Sequence, residues 1–333
     1  MTKVVVASAP GKVVLSGEYA VLDGAPSMCM AVDRRARVVL ARAVGEDSQV
    51  RAPGFTDETG RFDTTDGNLR WHSGQKSFRI VDSVWRAADA LSEGARSIDL
   101  DTSEFNDTGS RRKIGIGSSA ALTVALCAAV KSSTEVASIM AVAQHAHRDL
   151  QGGAGSGVDI ACSLVGGLIE YRMEGASVTP VNWPDGLYYR LIWTGVPAST
   201  AGKLAKLNDG ISKPSRVRLV SASEEIASAW QDGDADQIIK QYRDYNEHLR
   251  QFSVDHDLGI FDAGHDELWQ AASDAHLMYK PCGAGGGDVG ILMGTDETAI
   301  NTFSSALAAR YSVLECRLTH VGVMTDDSET GTL

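Results

Sequence analysis

The sequence predicts an α+β protein in two lobes, and three observations carry that expectation. Apolar residues alternate along the chain between the period of two that marks a strand and the period of 3.6 that marks a helix, with neither pattern confined to one half. A stretch with two prolines, Val178 to Asp185, interrupts the patterns near the middle of the chain and marks a boundary. At 333 residues the chain exceeds one typical domain, which leaves room for lobes at 1–180 and 181–333.

In chain order, Val4 to Ala7 and Ala36 to Arg42 read as strands, and Phe78, Val81, Val84, Trp85, Ala88 and Leu91 share one face of a helix. Ser97 to Phe105 looks extended. A helix starts at Ser118 and another spans Thr134 to Leu150, followed by a loop at Gly152 to Gly157 and a strand at Leu168 to Arg172. Tyr188 to Trp193 opens the second lobe as a strand. Two helices come next, with faces Val217, Val220, Ile226 and Ile238, Tyr242, Tyr245, Leu249, and a third lies near Asp266 to Met278. Val289 to Met293, Thr298 to Arg310 and Ser312 to Leu318 then read strand, helix, strand, an ending that suits a ferredoxin-like lobe. The polar tail Thr325 to Leu333 is expected to be loose.

The most informative segment is Lys113-Ile-Gly-Ile-Gly-Ser-Ser-Ala-Ala121, a glycine-hydroxyl loop running into the apolar Leu122 to Val130. Free N–H groups and the positive end of a helix dipole attract an anion at such a junction, glycines let the backbone approach it, and serine can cap the helix or ligate Mg²⁺. Gly115-x-Gly117-x-x-Ala120 also fits a dinucleotide fingerprint, but the polar Asn106 to Lys113 precedes it where a buried strand is required. No Gly-x-x-x-x-Gly-Lys-Ser/Thr run exists, so the phosphate loop is not of the Walker type.

Three further blocks share this character. They are Ser8-Ala-Pro-Gly-Lys12 to Leu22, Gly152-Gly-Ala-Gly-Ser-Gly-Val-Asp159, and Lys280-Pro-Cys-Gly-Ala-Gly-Gly-Gly-Asp-Val-Gly290. The four blocks in this order resemble the GHMP kinase superfamily, which phosphorylates small metabolites with ATP. That likeness implies a two-lobed fold, an N-terminal lobe like ribosomal protein S5 and a C-terminal ferredoxin-like lobe. It spans most of the chain, although Val44 to Trp71 and Lys203 to Gly259 match no motif. Within the superfamily, Lys113-x-Gly-x-Gly-Ser-Ser119, His147-x-x-x-Gln151-Gly-x-x-Gly-Ser-Gly-x-Asp159 and Trp193-Thr-Gly-x-Pro-Ala-Ser-Thr200 resemble the phosphomevalonate kinases.

Phosphoryl transfer depends on positioning and charge neutralisation, so the candidates are cations, donors and one metal site. The resemblance implies Lys12 and Asp159 as the reaction centre, Asp159 either as a base or as the group that orients Lys12. It implies Lys113, Gly115, Gly117, Ser118, Ser119 and Ala120 as the ATP loop, with Ser119 as the Mg²⁺ ligand. Glu18, Tyr19, Gly155, Ser156, Ser199, Thr200, Gly285 and Gly286 are the expected substrate contacts. Lys113 is also expected, with Lys12, to face a phosphorylated acceptor. Many relatives carry a metal-binding glutamate about eleven residues before the aspartate, whereas this chain has His147-Arg-Asp149 there, a poor set for a metal that prefers oxygen.

A net charge of −12 argues against nucleic acid or an anionic membrane as a general partner. Five cysteines without a Cys-x-x-Cys pair read as reduced, buried thiols, and no segment has the length of a membrane span, so a cytoplasmic protein is expected. The expected reaction is ATP- and Mg²⁺-dependent conversion of 5-phosphomevalonate to 5-diphosphomevalonate. Mevalonate kinase or another hydroxyl kinase, a diphosphomevalonate decarboxylase-like enzyme, and a ligand-sensing pseudo-kinase remain the alternatives.

Overall fold

A computed structural model describes residues 2–65, 67–92, 94–153, 155–198, 200–207 and 213–330. Its scaffold is one long hairpin, β1 (Thr2–Ser16) with β2 (Ser27–Arg42), paired antiparallel from Val4↔Ala41 to Ser16↔Met28. Both strands run far beyond the expected Val4 to Ala7 and Ala36 to Arg42. Pairing continues through Pro10 and Gly11, where the register shifts, so tertiary context overrides two residues that locally read as a break.

After this hairpin come β3 (Ser48–Ala52), β4 (Thr56–Thr65) and β5 (Asn68–Ser73), a polar ribbon in the segment that matched no motif. Phe62 anchors it, tilted against Trp71 at 4.9 Å and edge-on to Trp85 at 5.6 Å. Then follow α1 (Arg79–Ala87), β6 (Arg96–Asp101), α2 (Ser118–Lys131), α3 (Val136–Leu150), α4 (Val158–Val165), β7 (Leu168–Arg172) and β8 (Ser177–Val181). Helix α2 is apolar nearly all round because it is buried against β1, β2, α3 and α4.

The chain passes to a second sheet between Val181 and Tyr188. That half holds β9 (Tyr188–Trp193), α5 (Thr200–Leu207), α6 (Pro214–Asp232), α7 (Ala235–Asp255), α8 (His265–Asp274), β10 (Met278–Pro281), β11 (Val289–Gly294), α9 (Glu297–Leu307) and β12 (Ser312–Leu314), before β13 (Met324–Thr330) ends the described chain. The second sheet is antiparallel in the order β10-β11-β9-β12. The first runs β13-β1-β2-β6-β3-β4-β5, with β7 joined to β2 and β8 to β7.

Two expectations change here. The tail is not loose up to Thr330: β13 pairs with β1 from Thr2↔Thr330 to Ser8↔Met324, so the chain returns to its first sheet. On α6 the buried face is Leu219, Ala222, Ile226 and Trp230, while Val217 is exposed, because α6 packs on α7 rather than along the simplest apolar stripe. One core spans both sheets and takes in Met28 and Met30 of β2, Leu191 of β9, Tyr242 of α7 and Ile291 of β11. The five cysteines are free and buried. Among the described residues no helix is long and apolar enough to cross a membrane.

His265 ties three elements of the second half together. Its Nδ1 lies 2.8 Å from the Tyr279 hydroxyl and its Nε2 2.8 Å from the carbonyl of Gly287. Burial pushes its pKa down to about 4, so the imidazole stays neutral in the fold while an unfolded chain would take up a proton below its ordinary value. Stability from this group is therefore complete above pH 6.5 and lost as pH falls towards 4. Comparing urea unfolding at pH 7 and pH 5 should show a loss that His265→Gln reduces by on the order of 1–3 kcal/mol. An unchanged pH dependence in that variant would remove His265 as the cause.

Candidate active site

Gly11 brings the first strand against the phosphate loop. A β-carbon there would lie 2.6 Å from the Ile116 carbonyl and 2.8 Å from the Phe105 ring, so only glycine permits the approach. Lys12 N–H then donates to the Ile116 carbonyl at 2.9 Å. Its side chain crosses Gly117, where a β-carbon would meet Lys12 Cε at 2.9 Å, and its Nζ reaches Asp159 Oδ1 at 3.0 Å. Burial alone would lower the pKa of the Lys12 ammonium, which is only 11% exposed, but the Asp159 carboxylate prevails and holds it above its ordinary value.

Both helices that meet Lys12 begin at a glycine in the left-handed region, Gly117 (φ 84) for α2 and Gly157 (φ 86) for α4, and neither has a side-chain cap. At α4 the Val158 N–H makes only a long bond, 3.4 Å, to the Ser156 hydroxyl, and the N–H groups of such helix starts, with the dipole, favour anions. Asp159 sits in the first turn of α4, where the dipole favours its charge.

Lys12 and Asp159 line one pocket, and the start of α2 lines another. The first is lined by Lys12, Asp159, His147, Gln151, Gly155 and Ser156 together with Gly17, Glu18, Tyr19, Gly283 and Ala284. His147 is buried and its pKa is lowered by burial and by Lys12 against the pull of Asp159, which leaves a neutral ring beside the ion pair. Asp149 faces away and accepts the Ser83 hydroxyl at 2.6 Å. The second pocket flanks the α2 start: Ser118 and Ser119 share it with Lys113, Phe55, Leu100 and Thr102.

The expected residues are therefore sorted by the fold. Lys12, Asp159, Glu18, Tyr19, Gly155 and Ser156 come together in the first pocket. Lys113 lines the second pocket with Ser118 and Ser119, its Nζ 5.2 Å from the Phe55 ring centroid, and is not among the lining residues of the first. Gly115 packs under Asp288, whose Cγ would be 2.3 Å from a β-carbon there. Ala120 is a buried residue of the α2 first turn.

Gly285 and Gly286 do not form the pocket wall. Their backs are taken up by Ile260, Gly259 and Lys203, and Gly283 and Ala284 face the first pocket instead. Ser199 lies outside the described residues, and Thr200 opens α5 with its side chain outside them as well.

Phe55 and Lys203 carried no sequence signal, and Asp288 stood only as a member of the fourth glycine block. Phe55 belongs to a ribbon without a motif. Lys203 donates to the carbonyls of Gly285 (2.7 Å) and Ala284 (3.1 Å) from a helix that the sequence left unassigned. Asp288 accepts Ala198 N–H at 3.2 Å and, through burial, has its pKa raised despite Lys12 and Lys203. Far from the site, Asp47, Asp63 and His72 of the outer ribbon approach within metal-ligating distance of one another, but Arg61 already bonds Asp47 at 2.5 Å.

A cationic centre beside a glycine-serine helix start and a pocket, on this two-sheet α+β fold and with the likenesses that follow, defines a small-molecule phosphotransferase. Residues 82–167 match the GHMP kinases N-terminal domain. It is 29% identical to a phosphomevalonate kinase of Streptomyces sp. strain CL190, over 87% of this chain and 90% of that one. It is also 32% identical to a mevalonate kinase of Pyrococcus horikoshii over 52% of each chain. The fold superposes with a TM-score of 0.77, at 18% identity, on Streptococcus pneumoniae phosphomevalonate kinase in complex with phosphomevalonate and AMPPNP, covering 94% of this chain and 99% of that chain.

Gly117→Ala should separate site geometry from stability. The added methyl forces Lys12 off the loop and strains a left-handed residue, and a displacement of about 1 Å at a reacting group can cost about a hundred-fold in rate. We expect kcat to fall on that order while circular dichroism still reports a folded chain. Turnover near that of the wild type would separate Lys12 placement from the Gly117 contact.

Proposed function

We propose that the chain transfers the γ-phosphoryl group of ATP to the phosphate of 5-phosphomevalonate, giving 5-diphosphomevalonate. The observation that carries this reading is the Lys12–Asp159 ion pair in the first pocket, set at the starts of α2 and α4. A phosphomonoester has a second pKa near 6 and is already nucleophilic at neutral pH. The obstacle to its reaction is repulsion between two anions, which a cation between them reduces. Asp159 then serves to hold Lys12 charged and aimed. The likeness to the Streptomyces phosphomevalonate kinase over most of both chains supports the same acceptor.

In this reading ATP lies on the α2 side, its triphosphate at the backbone N–H groups of Gly117 to Ser119 and its nucleoside towards Phe55, Leu100 and Thr102. The acceptor occupies the first pocket. Mg²⁺ fits this arrangement through Ser119, whose exposed hydroxyl makes no hydrogen bond among the described residues; His147 is unsuited to it and Asp149 is turned away. When bound, the metal neutralises charge on the triphosphate. A second reading, a hydroxyl acceptor with Asp159 as base, is favoured by the mevalonate kinases among the relatives over half the chain.

An ADP-release assay with mevalonate, phosphomevalonate, diphosphomevalonate, homoserine and galactose separates these readings, and CO₂ release would mark a decarboxylase. For a phosphate acceptor, Asp159→Asn should retain measurable activity, and kcat/KM should fall below about pH 6 as the acceptor protonates. Lys12→Met should lose about 3–4 kcal/mol of transition-state stabilisation. Lys113→Ala, given its place beside Phe55, should raise KM for ATP more than KM for the acceptor. An Asp159→Asn enzyme inactive from pH 5 to 8 would transfer support to the hydroxyl kinase.

Ser119→Ala tests the metal contact separately. Its turnover should fall, and raising Mg²⁺ should recover part of the loss. A Mg²⁺ dependence identical to that of the wild type would leave Ser119 a simple helix-start residue.

A further inference from the structure

Glu18 lies on the wall of the first pocket, yet its carboxylate is already satisfied by protein. Lys280 Nζ donates to its Oε1 at 2.5 Å and the Tyr245 hydroxyl donates to its Oε2 at 2.7 Å. The lysine side chain is fully buried and that of Glu18 only 2% exposed. Lys280 also donates to the Pro281 carbonyl at 2.6 Å, and Tyr245 accepts the Gly17 N–H at 2.9 Å. Burial and the neighbouring Glu18 push the tyrosine pKa up, so its hydroxyl remains a donor.

These bonds join three distant pieces of chain. Gly17 and Glu18 follow β1, Tyr245 stands on α7, and Lys280 belongs to β10, immediately before the Gly283–Ala284 turn. Tyr19 closes the circuit by donating its hydroxyl to the Ala284 carbonyl at 2.7 Å. Gly17, Glu18 and Tyr19 line the first pocket, and so do Gly283 and Ala284 from the other end of the chain.

We propose that Lys280, Glu18 and Tyr245 are a buried positioning unit that locks two lining segments of the acceptor pocket, residues 17–19 and 283–284, together, with Glu18 acting through its segment and not as a ligand of the acceptor. A charged pair without water is costly when one partner is removed, because the other stays buried and unpaired. Such a unit has one geometry, which it imposes on both segments. The nucleotide pocket shares none of its three members.

The inference rests on the kinase reading only for its kinetic test. Tyr245→Phe keeps the ring and removes both hydroxyl links, so KM for the best acceptor in the ADP-release assay should rise about ten-fold. KM for ATP and kcat should stay within about two-fold. Lys280→Met should raise acceptor KM further, and adding Glu18→Gln should recover part of that loss by removing the orphaned charge. Hydrogen exchange needs no substrate: Tyr245→Phe should speed exchange at residues 17–21 and 282–287 and leave residues 113–119 unchanged. The proposal is overturned if exchange at 282–287 does not change, or if the two KM values rise together. It is also overturned if Glu18→Gln weakens the acceptor while Tyr245→Phe does not, since Glu18 would then bind it directly. A chain that rejects phosphomevalonate but accepts another substrate overturns the functional reading and leaves this one standing on its own result.

Discussion

An ammonium group withdrawn from water stays charged only if something negative stands beside it, and that requirement at Lys12 organises the site. Lys12 can enter the interior because Gly11 lets β1 touch the phosphate loop, and it remains a cation there because Asp159 is brought to 3.0 Å by α4. The aspartate is in turn favoured by the helix start on which it sits. Remove any one of these and the others lose their purpose: a β-carbon at residue 11 separates strand from loop, and a side chain at residue 117 collides with the lysine stem. The same few ångströms hold the uncapped ends of α2 and α4 near one positive charge, which is an electrostatic condition for handling phosphate on both sides of it.

The second half of the chain meets the problem of withdrawn lysines in two other ways. Lys280 is matched by a carboxylate and sealed completely, so it contributes rigidity and no field to the pocket that a ligand could use. Among the described residues Lys203 bonds no carboxylate and rests on carbonyls, and half-burial lowers its pKa against the attraction of Asp262. A carbonyl offers only partial negative charge, so this lysine holds the glycine loop by hydrogen bonds at some cost to its own ionisation. Asp288 lies between the two systems, over Gly115 and bonded to Ala198, and joins the glycine loop to the phosphate loop. The loops from the two sheets therefore meet through packed side chains and not across open water.

Legibility in the sequence followed how locally each feature is determined. The α2 start was readable because Gly117 and the apolar run after it specify a turn and a buried helix within a dozen residues. Lys12 and Asp159 were readable as members of glycine blocks, and their pairing is what the blocks exist to permit. Glu18 was visible as part of a motif, but its role was not, since its partner Lys280 is 262 positions away. The placement of Lys113 depended on Phe55, which sits in a polar ribbon whose alternation is weak and whose core is a cluster of aromatics from β4, β5 and α1. The tail read as loose because Met324 to Thr330 is polar, and it becomes a strand only because the outer edge of β1 is there to be paired. Edge pairing is a property of the partner, and no local pattern announces it.

The division of labour between the pockets follows from where charge is fixed and where it is not. On the nucleotide side Lys113 is exposed and Ser119 unbonded, so groups there can adapt to a ligand that arrives with its own charge. On the acceptor side Lys12 is committed to Asp159, His147 is held neutral by burial, and Glu18 is neutralised by Lys280. That wall has little free charge of its own to attract or repel a small anion, and what it offers is the backbone of the α4 start and the shape fixed by Gly283 and Ala284. Under the proposed reaction, selection of the acceptor falls to geometry, set by backbone donors and the spacing of the lining segments, with Lys12 as the cation between the acceptor and the phosphoryl group. Under the proposed reaction this explains why so much buried polar bonding is concentrated behind the pocket walls and so little within the pocket itself.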